Sequence, residues 1–548
     1  MKKMLETKIG RALEALASEY KLETPAGPVR WVVEEPRDPD HGHLATNAAL
    51  VRAKAFGLKP SELADLIIQR LDNSEGWLEK VEKAGPGFIN FTLSLKWWAK
   101  ALEELLAAGA EFGRGAPKGL KVMVEYVSAN PTGPLHVGHG RGAAIGDSLA
   151  RVLARAGYEV GTEYYINDAG RQMRILGQSV YARLLELGGR GRPFPEDHYQ
   201  GDYIVELAKE ALAREPDILS RPEEEVVDEL TDFAQGRILE GIKADLAAFR
   251  VEHEVWFSEK CLHREGMVDK ALEDMRSKGY VYDEDGAVWF RSEDLGDDKN
   301  RVLIKSGGER TYFAADIAYH WNKFQRGFDR LIDIWGADHH GYVPRMKAAV
   351  EAMGRRPEDL EVVLVQMVSL VRNGEPVSMT TRGGVFVTLK EVVDEVGADA
   401  ARFMFLTRSP DSTLDFDLDL AKSKTKDNPV YYVQYVGARI ESILRAAGEQ
   451  PDRPDLSLLA QPEETALIKH LSSFPELIEM AARRQEPHHL TAYLGALARL
   501  FHHYYGRHRI AVEDNPALAS ARLALVKAIR LVVLEGLGLL GVESPDSM

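Results

Sequence analysis

The sequence is poor in cysteine and in uninterrupted apolar runs. Cys261 is the one cysteine in 548 residues, which excludes a disulfide framework and makes a structural zinc site unexpected. Charged residues break every long apolar run, so no transmembrane helix is predicted. The amphipathic N-terminus contains acids and lacks the apolar core and cleavage site of a signal peptide. We therefore expect a cytoplasmic protein with no zinc, no other resident metal and no membrane partner.

The sequence also lacks an excess of basic residues. Its net charge of −16 argues against non-specific nucleic-acid binding, which relies on a basic surface. The acid excess is uneven, however, because residues 422–548 contain 15 lysines and arginines and 15 acids. Composition therefore leaves open a basic face on the C-terminal part of the chain.

The most informative stretch is residues 125–141, E-Y-V-S-A-N-P-T-G-P-L-H-V-G-H-G-R. The apolar, β-branched run at 121–127 predicts a buried strand, and the proline- and glycine-rich segment after it predicts a loop. A helical pattern follows from about Gly140 to Ala156. The stretch therefore predicts a strand, a turn and the start of a helix.

Two histidines, His136 and His139, lie at this predicted helix start. Helix N-termini offer free backbone N–H groups and a partial positive charge, so they attract phosphate. The histidines are three residues apart and can share one helix face. Gly138, between them, is expected to let a bulky ligand approach the backbone. We interpret the stretch as a nucleotide phosphate site.

The length of the chain predicts about three domains. Residues 1–110 have the pattern of an α+β domain and end in a Gly/Pro-rich linker. Residues 118–421 alternate strands and helices, which predicts an α/β domain with a doubly wound parallel sheet, interrupted by a helical insertion at about 172–300. Residues 422–548 predict an all-α helical bundle.

Ligands of doubly wound sheets bind beyond the carboxyl ends of the strands. We therefore expect segments 128–139, 336–341 and 372–384 to face one cleft. The glycines at 138–142 imitate a dinucleotide-binding fingerprint, but they fall inside the helix start rather than in a turn before it. Asp338, His339 and His340 are interpreted as polar loop residues or nucleotide contacts rather than as a metal site.

The sequence resembles the class I aminoacyl-tRNA synthetases. His136-Val137-Gly138-His139 is similar to their HIGH signature, and the surrounding stretch is similar to the arginyl-tRNA synthetase version. Residues 428–435, N-P-V-Y-Y-V-Q-Y, resemble the first helix of that family's anticodon-binding domain. The resemblance covers essentially the whole chain.

The resemblance implies a two-step reaction. Arginine attacks the α-phosphate of ATP, which enters with Mg²⁺, to give arginyl-adenylate, and the arginyl group then passes to tRNA(Arg). It also implies that the N-terminal domain contacts the tRNA elbow, that the bundle binds the anticodon, and that the protein is a monomer. The implied ATP-binding residues are Asn130, Pro131, Thr132, Gly133, Pro134, Leu135, His136, Val137, Gly138, His139 and Gly140.

A pocket for arginine needs buried acids that match the planar guanidinium group. Glu125, at the end of the first strand, and Asp316 are the candidates. The resemblance adds Tyr312, Asn130 and His340, with Asn130 placed to hold the α-amino or carboxylate group. Such a pocket would reject lysine without editing. The alternative is that Glu125 and Asp316 are structural partners of nearby arginines, since buried acids are usually paired.

The sequence departs from its relatives in the second class I signature, K-M-S-K-S. The matching segment is Ser378-Met379-Thr380-Thr381-Arg382, in which both lysines are missing. Lys121 and Arg382 are the candidates to supply the lost positive charge. The missing lysines suggest an alternative function, a synthetase-like tRNA-binding protein with weakened catalysis. A small-molecule nucleotidyltransferase is a further alternative, against which the long insertion and the helical C-terminal unit both argue.

Overall fold

The computed structural model describes residues 2–22, 31–36, 38–377, 387–447, 454–512 and 514–548. Within these ranges the chain forms an N-terminal α+β unit, a central α/β unit and a C-terminal helical unit. None of the helices in these ranges is long and apolar enough to cross a membrane.

The N-terminal unit contains a four-stranded antiparallel sheet with the strand order β1-β2-β4-β3. The first helix buries Leu5, Ile9 and Leu16 at helical spacing, and Ser94 caps the last helix by accepting a hydrogen bond from the Trp97 N–H. The elements are α1 (Lys2–Glu19), β1 (Val33–Glu34), β2 (Leu44–Thr46), α2 (Ala48–Phe56), α3 (Pro60–Arg70), β3 (Leu78–Ala84), β4 (Phe88–Leu93) and α4 (Leu95–Ala108).

The central unit alternates strands and helices along most of its length. Its elements are β5 (Lys121–Glu125), α5 (Val137–Arg155), β6 (Glu159–Ile166), α6 (Arg171–Leu187), α7 (Asp202–Arg214), α8 (Glu223–Ala248), β7 (Val255–Ser258), α9 (Glu259–Arg264), α10 (Met267–Ser277), β8 (Val281–Glu284), β9 (Ala287–Phe290), β10 (Arg301–Ile304), α11 (Tyr312–Gln325), β11 (Arg330–Gly336), α12 (Val343–Ala352), β12 (Leu360–Val365), β13 (Val368–Arg372), β14 (Glu375–Pro376), α13 (Leu389–Val396), α14 (Ala398–Phe405), β15 (Leu414–Asp417) and α15 (Leu418–Lys422).

Five of these strands form a parallel sheet in the order β12-β11-β5-β6-β7. The first strand of this unit, β5, lies in the middle, and later strands are added on both sides of it. This confirms the predicted doubly wound fold. The order reverses between β5 and β11, so the switch point at which ligands bind lies beyond Glu125 and Gly336.

The prediction of a helical insertion at 172–300 is only partly right. Helices α6, α7 and α8 fill its first part, but β7 belongs to the parallel sheet. β7 has only four residues, and each of them is only partly buried, so the strand carries no strong periodic signal. The Asp285-Gly286 pair predicts a hairpin turn, and the structure has this hairpin as β8 and β9, to which β10 adds a third strand.

The apolar pattern at 360–370 predicts one strand, but the structure has two strands there, in two different sheets. β12 ends at Val365, while β13 pairs with β14 and β15 in a separate three-stranded sheet. Between them the Gln366 N–H donates to the Pro410 carbonyl, and the Met367 side chain is 78% exposed. The chain therefore leaves the parallel sheet directly beside the carboxyl ends of its strands.

The C-terminal unit is helical, as predicted. It comprises α16 (Pro429–Ala447), α17 (Pro462–Ser472), α18 (Phe474–Arg484), α19 (His489–Arg507) and α20 (Pro516–Leu539). The apolar spacing at 465–485 predicts a single helix, but the structure divides it at Ser473, and Pro475 lies in the first turn of the second part. The N-terminal unit packs on this bundle, and Phe112 after α4 stacks on Phe474.

Candidate active site

The helix that carries the two histidines begins at Val137, earlier than the predicted Gly140. His136 is its N-cap, and the His136 Nδ1 accepts hydrogen bonds from the backbone N–H groups of Gly138 and His139 at 3.1 and 3.3 Å. In return the His136 N–H donates to the His139 Nδ1 at 3.2 Å. The two rings stack with their centroids 3.6 Å apart. The histidines therefore cap the helix themselves.

This geometry changes the expected reason for Gly138. A Cβ atom at position 138 would lie 2.9 Å from the His136 ring, which is closer than packed carbon atoms approach. The absence of a side chain therefore makes room for the capping imidazole, whereas the sequence suggested room for a ligand.

The hydrogen bonds also fix how the two imidazoles are protonated. Each Nδ1 accepts a hydrogen bond from a backbone N–H, so a neutral ring must carry its proton on Nε2. Burial lowers the pKa of His136, and burial together with the neighbouring His136 ring lowers the pKa of His139 to about 3. At neutral pH both rings are therefore uncharged and carry an Nε2–H donor.

The loop before the helix is tied to the segment that follows the second signature. The Leu389 N–H donates to the Leu135 carbonyl at 2.8 Å, and the Val137 N–H donates to the Val387 carbonyl at 3.2 Å. Leu135 and Val137 are buried and anchor the histidines. The signature residues Ser378, Met379, Thr380, Thr381 and Arg382 lie outside the described residues.

A cavity of about 500 Å³, the histidine cavity, opens beside the helix start. One side of it is lined by the loop between β5 and α5, here called the signature loop, and by the start of α5: Asn130, Thr132, Gly133, Pro134, His136 and His139. Residues 196–201 and Tyr203 line the other side. The Tyr203 hydroxyl donates to the Thr132 carbonyl at 2.7 Å. Sequence reasoning did not find this wall, because nothing in residues 196–203 marks them as neighbours of the loop.

A second cavity of about 270 Å³, the amino-acid cavity, lies beyond the ends of β5, β6 and β11. Glu125 and Asp316 are the two carboxyl groups in its lining. Its other lining residues are aromatic, polar or small: Val127, Ser128, Asn130, Tyr165, Asn167, Tyr319, His320, Ile334, Trp335, Gly336, His339 and Tyr342. An aromatic cavity with two buried acids suits a flat organic cation.

The two acids have different partners. The Glu125 Oε2 lies 2.5 Å from the Lys323 ammonium, and its Oε1 accepts a hydrogen bond from the Ser128 hydroxyl at 2.8 Å. The Asp316 Oδ2 accepts a hydrogen bond from the Tyr342 hydroxyl at 2.5 Å, and burial raises the pKa of Asp316 to about 6. The partners are thus a lysine and a tyrosine, whereas the structural alternative anticipated arginines.

A strained turn connects Glu125 to the signature loop. Val127 and Ser128 have φ angles of 70° and 41°, a left-handed region that is unfavourable for a β-branched residue such as valine. The turn directs the Ser128 hydroxyl back to Glu125 and brings Asn130 to the mouth of the cavity. The strain is therefore located where the strand end meets the site.

Several predicted residues line neither cavity: Lys121, Tyr312 and His340, and also Pro131, Leu135, Val137, Gly138 and Gly140 of the predicted ATP-binding stretch. Lys121 begins β5, at the opposite end of the strand from Glu125, and pairs with Glu159 at 2.9 Å. Tyr312 begins α11, the helix that carries Asp316, with 64% of its surface exposed. His340 is exposed, and His339 lines the cavity in its place. The structure thus moves Lys121 away from any phosphate site at the strand ends.

No group of three or more histidines, cysteines or acids that could hold a metal ion occurs in the described part of the chain. The segment Asp338-His339-His340 lies in a short 3₁₀ helix, Ala337–Tyr342, at the end of β11. The chemistry available at the cleft is hydrogen bonding, helix-terminus charge and the buried acids.

A doubly wound sheet with a histidine-capped helix after its central strand is the arrangement expected of a class I aminoacyl-tRNA synthetase catalytic domain. Three family models match the chain: "Arginyl tRNA synthetase N terminal domain" at residues 3–93, "tRNA synthetases class I (R), catalytic domain" at 101–415 and "DALR anticodon binding domain" at 433–548.

Individual relatives are specific to one amino acid. The chain is 52% identical to an arginine–tRNA ligase of Desulfovibrio desulfuricans, over 98% of this chain and all of the relative. It is 49% identical to that of Syntrophotalea carbinolica over the full length of both. The Thermus thermophilus arginyl-tRNA synthetase structure superposes with a TM-score of 0.77 at 26% identity, covering all of both chains. The chain belongs to the arginyl-tRNA synthetase family.

Proposed function

We propose that this protein attaches arginine to tRNA(Arg) in two steps, with the histidine cavity holding the phosphates of ATP and the amino-acid cavity holding arginine. Asn130 carries the proposal, because it is the residue that lines both cavities. Its position is where the carboxylate of arginine would meet the α-phosphate of ATP. The Asn130 side chain is held by a hydrogen bond to the Gln172 side chain at 2.8 Å.

In the first step a carboxylate oxygen of arginine attacks the α-phosphorus of ATP. The bond from that phosphorus to the bridging oxygen breaks, and pyrophosphate leaves. Such phosphoryl chemistry depends mainly on positioning and on stabilising charge. The neutral imidazoles of His136 and His139 would each donate a hydrogen bond to the developing phosphate charge, and the N-terminus of α5 adds its partial positive charge. Magnesium enters with ATP as part of the substrate.

In the second step a hydroxyl of the terminal tRNA ribose attacks the carbonyl carbon of arginyl-adenylate, and AMP leaves. We place the arginine guanidinium against Asp316, within an aromatic enclosure formed with Tyr319 and Trp335. Glu125 accepts a hydrogen bond from the same group. The α-amino group lies at Asn130, whose amide oxygen can accept from it.

The outer units would hold the tRNA. We propose that the N-terminal unit, residues 1–110, contacts the elbow and that residues 422–548 bind the anticodon. The rings of Tyr431 and Tyr435 are stacked, and Arg439 lies between the rings of Tyr435 and Tyr505 at 4.9 and 5.0 Å from their centroids. Such tyrosine and arginine faces suit unpaired bases. We further propose that the protein is a cytoplasmic monomer and that Arg382 contributes charge to the pyrophosphate site.

The test is ATP–pyrophosphate exchange with each of the twenty amino acids, with and without tRNA. We expect exchange with arginine plus tRNA(Arg) and with no other pair. Tight tRNA binding without exchange would favour the alternative, a tRNA-binding protein with weakened catalysis. Exchange with a different amino acid would contradict the assignment of the amino-acid cavity.

A further inference from the structure

A fully buried lysine lies directly behind the amino-acid cavity and has no role in the chemistry described above. Lys323 lies on α11, two turns after Asp316 and on the same face. Its side chain is completely inaccessible to solvent, and its ammonium lies 2.5 Å from Glu125 and 3.0 Å from the Asp333 Oδ1. Lysine is almost never fully buried unless it is paired with acids.

The two acids that share this ammonium are direct neighbours on adjacent strands. Asp333 of β11 is in register with Glu125 of β5, so their side chains lie on the same face of the sheet, where like charges repel. Burial lowers the pKa of Lys323, but Asp333 and Glu125 outweigh burial and raise it above its usual value. His320 approaches the second oxygen of Asp333 at 2.8 Å. The ammonium therefore makes it possible for both carboxylates to be present.

This arrangement gives the two acids of the cavity unequal electrostatic roles. Glu125 faces the cavity, but both of its oxygens are engaged, one by Lys323 and one by Ser128. Asp316 also faces the cavity, and its hydrogen bond comes from the hydroxyl of Tyr342, which is uncharged. A cation that enters the cavity therefore meets one acid that already has an ammonium partner and one whose hydrogen-bond partner is uncharged.

We propose that Lys323 is a positioning residue for arginine: it pairs with Glu125 and orients it, so that Glu125 serves as a hydrogen-bond acceptor of fixed geometry while Asp316 supplies the charge for the guanidinium. This inference rests on the arginine site proposed above. Since arginine brings a single guanidinium charge, it can pair directly with Asp316, whose hydrogen-bond partner is uncharged, while Glu125 keeps its ammonium partner.

The experiment measures the KM for arginine and for ATP in tRNA aminoacylation. In the wild-type background we expect Asp316→Asn to raise the KM for arginine at least about tenfold more than Glu125→Gln does. Each change removes one negative charge, but the charge of Asp316 pairs directly with the guanidinium, whereas that of Glu125 already pairs with Lys323. The second background is Lys323→Met/Asp333→Asn, which removes one positive and one negative charge together. In this background Glu125 has lost its ammonium partner, so its charge is available to the guanidinium. Asp316→Asn should then raise the KM for arginine much less than in the wild-type background, and Glu125→Gln should raise it much more.

If Lys323 had a purely structural role, Asp316→Asn and Glu125→Gln would each raise the KM for arginine by the same factor in both backgrounds. That result overturns the proposal. Thermal unfolding and the KM for ATP report general damage. Arg522→Met, which breaks the buried pair with Glu464 at 2.8 Å in the bundle, is the matched control and should lower the Tm without changing the KM for arginine.

If the double variant does not fold, the test relies on the two single variants in the wild-type background. Equal increases in the KM for arginine for Asp316→Asn and Glu125→Gln would then overturn the proposal. The arginine site itself fails in a distinguishable way, because Asp316→Asn would then leave the KM for arginine unchanged.

Discussion

The helix start at His136 and the amino-acid cavity at Asp316 meet at Asn130. They suit ions of opposite sign, and for different physical reasons. The helix start has two neutral imidazoles whose protons are set by backbone hydrogen bonds, and it offers donors to an anion. The cavity is lined by two buried carboxylates and several aromatic groups, with the buried ammonium of Lys323 behind them, and it offers charge to a cation. Donor geometry should therefore dominate at the first site and net charge at the second.

The largest effect is expected when a hydrogen-bond donor at the helix start is removed. We expect His139→Ala to lower kcat for arginine-dependent pyrophosphate exchange by about 10²–10³-fold, which is the typical cost of one lost transition-state donor. The KM for arginine should change little, because the amino-acid cavity is untouched.

His139→Gln sharpens this test, since a glutamine amide can place an N–H near the position of the imidazole Nε2. It should recover part of the lost rate. If the alanine and glutamine variants were equally slow, a role for the donor itself would be contradicted, and the capping of the His136 N–H would explain the loss instead.

The next largest effect is expected in the cavity. Asp316→Asn should raise the KM for arginine by about 100-fold, roughly 3 kcal/mol, because a charge-assisted hydrogen bond is lost. The value of kcat at saturating arginine should fall far less. Asp359→Asn is a matched control, since Asp359 is also buried and is paired with Arg356. It directly precedes β12, so it lies at the amino ends of the strands, whereas the cavity lies at their carboxyl ends. An unchanged KM in Asp316→Asn would remove this residue from the site.

A smaller effect should appear with pH. The groups that influence Asp316 are Tyr342, His320, Glu259 and Glu125, and burial raises its pKa to about 6. Below that pH the carboxyl is protonated and cannot pair with a guanidinium, so the KM for arginine should rise as the pH falls, by about tenfold at pH 5. Above pH 7 it should be constant. The same titration of Asp316→Asn should be flat between pH 5 and 7, and a persisting slope would assign the proton to another group.

The comparison also explains which parts of the site the sequence could predict. His136 and His139 are neighbours in the chain, and a strand–turn–helix pattern was enough to place them at a helix N-terminus. Glu125 was also found, because it ends the first strand and ligands bind beyond such ends.

The cavity was harder to predict because its residues come from separate strand ends and from α11. Lys323 looks like any amphipathic helix residue until β5 and β11 are known to be neighbours in register. His339 was missed in favour of His340 because a turn decides which of two adjacent rings faces inward. Strand β7 was missed because four half-buried residues carry no strong periodic signal.

The smallest effect is expected at Lys121, which the sequence suggested as a substitute for the missing signature lysines. β5 runs from Lys121 to Glu125, so about 13 Å of extended chain separates Lys121 from the strand end. Its ammonium already pairs with Glu159. Lys121→Ala should therefore leave pyrophosphate exchange within about twofold of wild type, as expected for an exposed ion pair. Arg382→Ala should lower it further, because we propose that Arg382 contributes charge to the pyrophosphate site. If Lys121→Ala were the more damaging of the two, the positive charge at the phosphate site would come from the opposite end of β5. The contrast between a helix start that supplies hydrogen-bond donors and a cavity that supplies charge would then no longer hold.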